Sequence, residues 1–208
     1  MKKLFVTIAM LMCVLAKAQT TLSLRYLGLT VHPFGDQTAS IQPHKLDDHA
    51  FVVLNFGGVA SIDHYFFYDQ LAVTLMQGAF TDCSGGLAGF SHLGIRGLLW
   101  EKGKHRLLLG IGPMLYYRQD WNRFPEYEDG GVFRRYHSRH LGDVQYKIFW
   151  IAGEFAWHWQ LSESLDFNFG FTPGIPLALT FSAGVTYWPK RFSIKLEQPK
   201  IYFGKRHG

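Results

Sequence analysis

Four residues in two short stretches of this chain have the side chains of an acid–base or nucleophilic site. His32 follows an apolar stretch, and Asp82, Cys83 and Ser84 stand together in the turn-like run Thr81–Gly86. An imidazole can act as a general base near neutral pH, a carboxylate can orient it, and a thiol or hydroxyl can attack or donate a proton. The simpler interpretation is a polar histidine above an ordinary Asp/Ser/Gly turn, and residue types alone favour it.

The elements that would position these residues are β-strands, because apolar and polar residues alternate with a period of two. Between Leu165 and Thr172 the odd positions are bulky and apolar, whereas the even ones are small or polar, and Leu177–Trp188 repeats the pattern. A membrane barrel turns its bulky apolar face to lipid and its small or polar face to the lumen. The pattern therefore predicts an all-β fold, an antiparallel up-and-down transmembrane β-barrel.

The length of the chain predicts the number of strands. Residues 19–208, at roughly 10 residues per spanning strand plus loops, fit eight strands. We place them at 20–33, 50–62, 65–80, 87–100, 105–118, 146–160, 165–172 and 177–188, with short turns at Asp63-His64, Glu101–Lys104 and Ser162–Ser164. Ten strands are the alternative, with the additional strands at Phe192–Leu196 and Ile201–Phe203.

The alternation also predicts where polar and aromatic residues lie. Arg96, Arg106 and Glu154 fall on inward-facing positions, and we expect them to form a buried ion-pair network that plugs the lumen. Tyr65–Tyr68 and Tyr187-Trp188 are typical of aromatic girdles at the membrane interface. In this topology the first and third strands end at the same rim, so His32 and the Asp82–Ser84 turn share that rim.

The N-terminus predicts the compartment. Lys2 and Lys3 precede the apolar run Leu4–Leu15, and Ala16-Lys17-Ala18 is a small-x-small cleavage site, so residues 1–18 are interpreted as a secretory signal peptide. Residues 19–208 are interpreted as one outer-membrane β-barrel domain. No long apolar run follows residue 19, which argues against helical membrane spans. These features predict location in a bacterial outer membrane.

Charge and cysteine content restrict the partners. The formal charge of +5 includes Lys2, Lys3 and Lys17, and without them 18 basic residues face 16 acidic ones, a net charge of +2. This balance gives no indication of a nucleic-acid partner. Of the two cysteines, Cys83 alone lies outside the signal peptide, so no disulfide forms within a monomer. We expect a monomer that contacts membrane lipids, both phospholipid and lipopolysaccharide, and has no metal or organic cofactor.

Two stretches carry a family resemblance. Leu29-Thr30-Val31-His32 and Ala79-Phe80-Thr81-Asp82-Cys83-Ser84 resemble the first three strands of the outer-membrane lipid A palmitoyltransferases, and the resemblance covers residues 24–122. It implies an eight-stranded barrel that moves a fatty acyl chain between outer-leaflet lipids, with His32 as the rim histidine and Asp82 as the carboxylate. The family's serine corresponds to Cys83, and Ser84 follows one residue later, so both remain candidates. The family's N-terminal amphipathic helix is absent from this chain.

The predicted 119–145 loop supplies candidate lipid-binding residues. Arg134, Arg135 and Arg139 are interleaved with aromatic residues. Guanidinium forks suit phosphate groups, including those of lipopolysaccharide. Acidic residues in the same loop leave self-pairing as the alternative.

Two classes of function remain open. The first is a lipid acyltransferase in which His32 deprotonates the acceptor hydroxyl, Asp82 orients the histidine, and Cys83 or Ser84 assists acyl transfer. The second is a non-enzymatic small barrel that acts as a structural, binding or adhesion scaffold through its outer loops. An apolar lumen would favour the enzyme, and a lumen plugged by arginine and glutamate would favour the scaffold.

Overall fold

The computed structural model describes residues 19–66, 69–127, 139–173 and 179–189. These residues form one antiparallel sheet of eight long strands and one short strand. The strands are β1 Gln19–Val31, β2 Val52–Phe66, β3 Leu71–Thr81, β4 Leu87–Lys102, β5 His105–Gln119, β6 Arg139–Leu141, β7 Val144–Gln160, β8 Leu165–Pro173 and β9 Leu179–Tyr187. Two 3-10 helices, Ala39–Ile41 and Trp121–Arg123, lie in the connections. No helix in the described ranges is long and apolar enough to cross a membrane.

The sheet closes on itself. β1 pairs with both β2 and β9, and β5 pairs with both β4 and β7, so the eight long strands form a complete ring. Among the described strands, β6 pairs with the start of β7 alone, and the two form a short hairpin. The predicted eight-stranded antiparallel barrel is confirmed. Phe192–Leu196 and Ile201–Phe203, which would make ten strands, lie outside the described residues.

The two ends of the barrel differ. At the end we call the short-turn end, β2 connects to β3, β4 to β5 and β7 to β8 through tight connections. At the opposite end, the long-loop end, residues 32–51, 82–86 and 120–143 connect the strands. His32 and Asp82 both lie at the long-loop end, because each immediately follows a strand that runs in that direction.

The predicted turn at Asp63-His64 is wrong. β2 continues to Phe66, and its pairing with β3 runs unbroken from Gly57↔Phe80 to Phe66↔Leu71. Strand alternation persists through this stretch, since Asp63 and Tyr65 are buried whereas Ile62 is exposed. Aspartate is a common turn residue, but inside this barrel lumen Asp63 is a strand residue that faces Arg96.

The outer surface of the barrel is apolar. Large hydrophobic side chains are exposed on every long strand: Leu22, Leu24, Ile62, Val73, Leu75, Leu93, Ile95, Ile111, Ile148, Ile151, Phe155, Phe169 and Val185. Burying one such side chain is worth about 1.5–3 kcal/mol, and soluble monomers do not expose contiguous apolar surface on this scale. The outer surface is therefore one that faces lipid.

Aromatic side chains surround the short-turn end on the outside. The His105 ring stacks on Trp157 and Trp159 with centroid distances of 5.6 and 6.1 Å, and the exposed Trp100 and Tyr187 lie toward the same end on β4 and β9. Indole and phenol rings of this kind sit at the boundary between lipid tails and headgroups. We call this ring of outward-facing aromatic residues the lower girdle.

Tyr65 and Trp188 do not belong to that girdle, contrary to the sequence-based prediction. Both are about 1% exposed and lie inside the barrel, where their rings stack with a centroid distance of 5.1 Å. Trp188 directly follows β9 and keeps its alternation, which directs the indole inward. Only Tyr187 of this pair faces outward.

Candidate functional site

The centre of the lumen holds four charged residues in an alternating chain. Arg25 Nη1 is 2.5 Å from Glu154 Oε1, Arg96 Nη2 is 2.5 Å from Glu154 Oε2, and Arg96 Nη1 is 2.7 Å from Asp63 Oδ2. All four side chains are at most 3% exposed, and their formal charges cancel. Gly170 leaves room for this arrangement, because a Cβ at that position would collide with Arg25 Nη1. We call these four residues the lumen tetrad.

The tetrad agrees only in part with the predicted network. Arg96 and Glu154 are joined as expected, but Arg106 is not a member. Arg106 lies nearer the short-turn end, where it donates to the Asp69 carbonyl over 2.7 Å and stands 5.4 Å above the Trp188 ring. The cross-strand register explains the difference, since Arg96 and Glu154 both lie opposite Gly110, four residues beyond Arg106.

Arg25 and Asp63 are tetrad members that the sequence reasoning missed. Arg25 continues the inward series Thr21, Ser23 on β1, all of them buried, so the alternation contained the signal. Asp63 was assigned to a turn and was therefore not expected in the lumen. Its carboxylate also accepts hydrogen bonds from the hydroxyls of Thr74 and Thr21, which completes its coordination by donors.

A floor closes the short-turn end of the lumen. Tyr65 and Trp188 pack with Ala72, Leu108 and Ala156 into one buried cluster. The Trp188 indole N–H donates to Asp166 over 2.8 Å, so the ring has a fixed orientation. Ring stacking and a hydrogen bond together hold this end shut.

Above the tetrad, toward the long-loop end, the lumen is apolar. Leu27, Val59, Met76 and Phe90 form a buried cluster, and Phe80, Met114 and Tyr116 pack against it. The Met76 sulfur links the two layers, because it accepts from the guanidinium groups of Arg25 and Arg96 at 3.5 and 3.4 Å. The lumen therefore contains both features that the sequence analysis set against each other, an ionic layer and an apolar layer.

At the rim, Asp82 organises its own turn. Its Oδ1 accepts hydrogen bonds from the Ser84 hydroxyl at 2.7 Å and from the backbone N–H groups of Ser84 and Gly86 at 2.9 and 3.0 Å. Its Oδ2 accepts from the Trp121 indole at 2.6 Å. The side chain is 3% exposed. This carboxylate thus joins the 82–86 turn to the segment that follows β5, a role that residue spacing did not indicate.

Cys83 is packed between apolar clusters. Its side chain contacts the clusters of Ala39, Ala50 and Val53 on one side and of Ile41, Trp121 and Tyr127 on the other. Burial, with a smaller contribution from the charge of Asp82, raises the pKa of the Cys83 thiol to about 12. A nucleophilic cysteine normally has a lowered pKa, so this environment disfavours the reactive thiolate.

His32 lies at the same rim but contacts a different segment. Its Nδ1 is 2.9 Å from the Ala50 carbonyl oxygen. A carbonyl only accepts, so Nδ1 donates this hydrogen bond, and Nε2 is the acceptor nitrogen of the neutral ring. Within the described residues no hydrogen bond joins His32 to Asp82, Cys83 or Ser84. The structure brings Asp82, Cys83 and Ser84 into one turn and seats His32 on the neighbouring loop.

The loops at the rim fold against one another, and we call their described residues, 32–51, 82–86 and 120–127, together with the start of β2, the cap. Residues 44–46 pair with the start of β2 in a hairpin, through Lys45↔Val53 and the bond from Leu46 N–H to the Val52 carbonyl. At its tip the Asp47 carboxylate accepts from the backbone N–H groups of His49, Phe51 and Val52, and these bonds lower the pKa of Asp47. We call residues 44–54 the cap hairpin.

The segment after β5 completes the cap. The Arg118 guanidinium lies 3.8 Å from the centroid of the Trp121 ring and donates to Gln145 over 3.0 Å. Trp121 and Tyr127 meet edge to face at 5.6 Å. The predicted lipid-binding residues Arg134 and Arg135 lie outside the described residues, and Arg139 is the first residue of β6, where it pairs with Tyr146.

The fold and its surfaces define a class of protein. A closed antiparallel barrel of eight strands with an apolar exterior, a polar lumen centre and loops at one end is the architecture of small outer-membrane β-barrels. No protein-family model matches the sequence, and no curated protein matches it.

Solved structures of such barrels are similar to this chain. The N-terminal β-barrel domain of Pseudomonas aeruginosa OprF is 12% identical, with 82% of this chain and 98% of that one covered and a TM-score of 0.43. The attachment invasion locus protein Ail of Yersinia pestis, solved with the heparin analogue sucrose octasulfate, is 10% identical with 82% and 97% covered and a TM-score of 0.44. Neisserial surface protein A is 9% identical with 84% and 97% covered and a TM-score of 0.45.

Proposed function

We propose that this protein is an integral barrel of the bacterial outer membrane that acts without catalysis, as a structural, binding or adhesion scaffold presenting its cap to the exterior. The proposal rests on the hydrogen bonds that the Asp82 carboxylate accepts. Both of its oxygens are occupied by the bonds that build the cap, and none of these bonds reaches His32. A carboxylate committed in this way supports a folded cap and not an acid–base pair.

Two further observations support the scaffold. The pKa of Cys83 is raised, so its thiol stays protonated near neutral pH. The centre of the lumen is filled by the tetrad, and the short-turn end by the Tyr65–Trp188 floor. A filled lumen does not conduct solutes, which leaves the lipid-facing wall and the cap as the surfaces available to partners.

The second candidate is a lipid acyltransferase that uses His32, Asp82 and either Cys83 or Ser84. One specific observation favours it, namely the apolar layer of the lumen directly below the rim. An acyl chain would find suitable walls there, and Nε2 of His32, which has no hydrogen bond to any described residue, would be the base. This candidate requires Asp82 to give up bonds to its own turn before it could act on His32.

The two candidates predict different lipid profiles. We would compare outer-membrane lipids by mass spectrometry in cells that lack the protein, express the wild type, or express His32→Ala. The scaffold predicts three identical profiles with the folded barrel in the outer-membrane fraction. A new acylated lipid that disappears with His32→Ala would reject the scaffold and establish the enzyme.

A positive test of the scaffold uses the cap. Cells lacking the protein are assayed for detergent sensitivity and surface adhesion, then complemented with the wild type, His32→Ala or Asp82→Ala. We expect His32→Ala to restore the phenotype fully and Asp82→Ala to restore it poorly, because the latter removes four hydrogen bonds from the cap. Equal restoration by Asp82→Ala would show that the cap is not the functional surface.

A further inference from the structure

The lipid-facing wall carries a polar cluster on β3, β4 and β5. Gln77, Ser91 and Tyr117 all lie on the outside of the barrel, with the Gln77 side chain exposed and the other two half-buried. The residues two positions closer to the short-turn end on β3 and β4 are Leu75 and Leu93, both more than half exposed. A hydrogen-bonding cluster next to such side chains is unusual, because polar groups in hydrocarbon are costly unless satisfied.

Hydrogen bonds within the cluster fix its shape. Ser91 Oγ donates to Gln77 Oε1 over 2.6 Å, and Gln77 Nε2 donates to the Tyr117 hydroxyl oxygen over 2.8 Å and to the Gly78 carbonyl over 3.0 Å. The Tyr117 ring lies flat against the wall, because its hydroxyl occupies the space that a Cβ at Gly89 would need. The amide and the serine thereby hold the phenol oxygen in place.

The Tyr117 hydroxyl proton makes the longest hydrogen bond of the cluster. The hydroxyl is 3.4 Å from the Gly78 carbonyl oxygen, longer than a good O–H···O bond. Gly78 O already accepts from Gln77 at 3.0 Å. Rotation about the C–O bond can direct the proton away from the wall toward a lipid acceptor without breaking the bond from Gln77.

The depth of the cluster indicates which part of a lipid it meets. Ser91 precedes Trp100 of the lower girdle by nine positions on β4. At about 3.3 Å per residue and a strand tilt of roughly 40°, the two are about 23 Å apart in height, close to the roughly 25 Å of an apolar barrel band. The cluster therefore lies at the opposite edge of the lipid-facing band, where acyl chains join the lipid through ester or amide carbonyls.

We propose that Tyr117, held by Gln77 and Ser91, is a lateral binding site for the acyl carbonyl of an outer-leaflet lipid. The cluster is uncharged, so it matches a carbonyl acceptor better than a phosphate or an ammonium group. The outer-leaflet assignment rests on the proposed membrane location and orientation of the barrel, whereas the carbonyl contact does not.

The test compares lipids that differ only in the carbonyl. The folded full-length barrel is mixed with diester or diether phosphatidylethanolamine of equal chain length, and bound lipid is counted by native mass spectrometry. One added hydrogen bond predicts that the wild type retains the diester lipid about five-fold more than the diether lipid. Tyr117→Phe should reduce this ratio to near one, whereas Leu115→Val, an apolar change two positions away on β5, should preserve it.

The bound-lipid ratios decide whether Tyr117 binds the acyl carbonyl. A wild-type ratio near one, or an undiminished ratio in Tyr117→Phe, overturns the site. If Tyr117→Phe fails to fold, Ser91→Ala supplies the comparison, since it frees Gln77 and should lower the ratio in part; no reduction there also overturns the site. An ester preference in a protein that fractionates away from the outer membrane would reject the proposed location and retain the carbonyl site.

Discussion

Removing the charge of Glu154 should destabilise this barrel strongly, because that carboxylate binds two buried arginines. Its oxygens lie 2.5 Å from a nitrogen of Arg25 and 2.5 Å from a nitrogen of Arg96, and the side chain is 2% exposed. In Glu154→Gln, Arg96 keeps its ion pair with Asp63 over 2.7 Å, whereas Arg25 loses its ion pair. A buried cation without a counter-charge costs about 3–5 kcal/mol, and we expect a loss of unfolding free energy in that range.

The measurement is urea unfolding of the full-length barrel in phospholipid vesicles at constant pH, followed by tryptophan fluorescence. Glu163→Gln, which removes an exposed charge in the turn before β8, is the matched control and should change stability by less than about 0.5 kcal/mol. The double variant Arg25→Met/Glu154→Gln should recover at least about 2 kcal/mol relative to the sum of the single variants, because it leaves no unpaired charge. A loss below about 1 kcal/mol in Glu154→Gln, or strict additivity in the double variant, would refute the tetrad as a coupled unit.

Three further predictions follow from the floor and the cap. Trp188→Ala should cost about 3–5 kcal/mol in the same unfolding assay, because it removes the stack on Tyr65 and the bond to Asp166; a loss under about 1 kcal/mol would mean that the floor is not packed. Alkylation of Cys83 by iodoacetamide at pH 8 should be on the order of a hundred-fold slower than that of a free cysteine. The rate should increase as the pH rises toward the raised pKa of about 12. A rate like that of the free thiol would contradict the burial of Cys83. Because the folded pKa of Asp47 is lowered, its contribution to the cap hairpin is present above the unfolded pKa of about 3.9 and is lost as pH falls through the folded value. The protection factors for amide exchange at His49, Phe51 and Val52, taken relative to the intrinsic exchange rate at each pH, should therefore fall only below about pH 4, and Asp47→Asn should abolish that pH dependence.

The face of the barrel wall on which each strand side chain lies was predictable, because it is a local property. The side chains of a strand alternate between two faces whatever the strand pairs with, so Arg96 and Glu154 could be assigned to the lumen from their positions alone. The same rule, applied consistently, would have directed Arg25 and Trp188 inward as well. Arg25 was assigned to neither face, and Trp188 lies at a strand end, where aromatic residues are typical of girdles.

Contacts between strands were not predictable in the same way, because they depend on register. Arg106 and Arg96 are both inward-facing, yet the offset between β4 and β5 places Gly110, and not Arg106, opposite Arg96. A shift of two residues would retain every side chain on its face and change every partner. Membership of the tetrad was thus decided by the pairing of four distant segments of the chain.

The sequence by itself determined the all-β class, the number of strands, the lipid-facing surface and the end of the barrel at which His32 and Asp82 lie, because each follows from the two-residue period, the length of the chain and the spacing of turns. The tertiary structure alone decided what those residues contact. Asp82 is bound by its own turn and by Trp121, 39 positions later, and His32 by the Ala50 carbonyl. Long connections carry no repeating pattern that specifies how they pack, so the chemistry available to a rim residue emerges only when the loops have folded against one another.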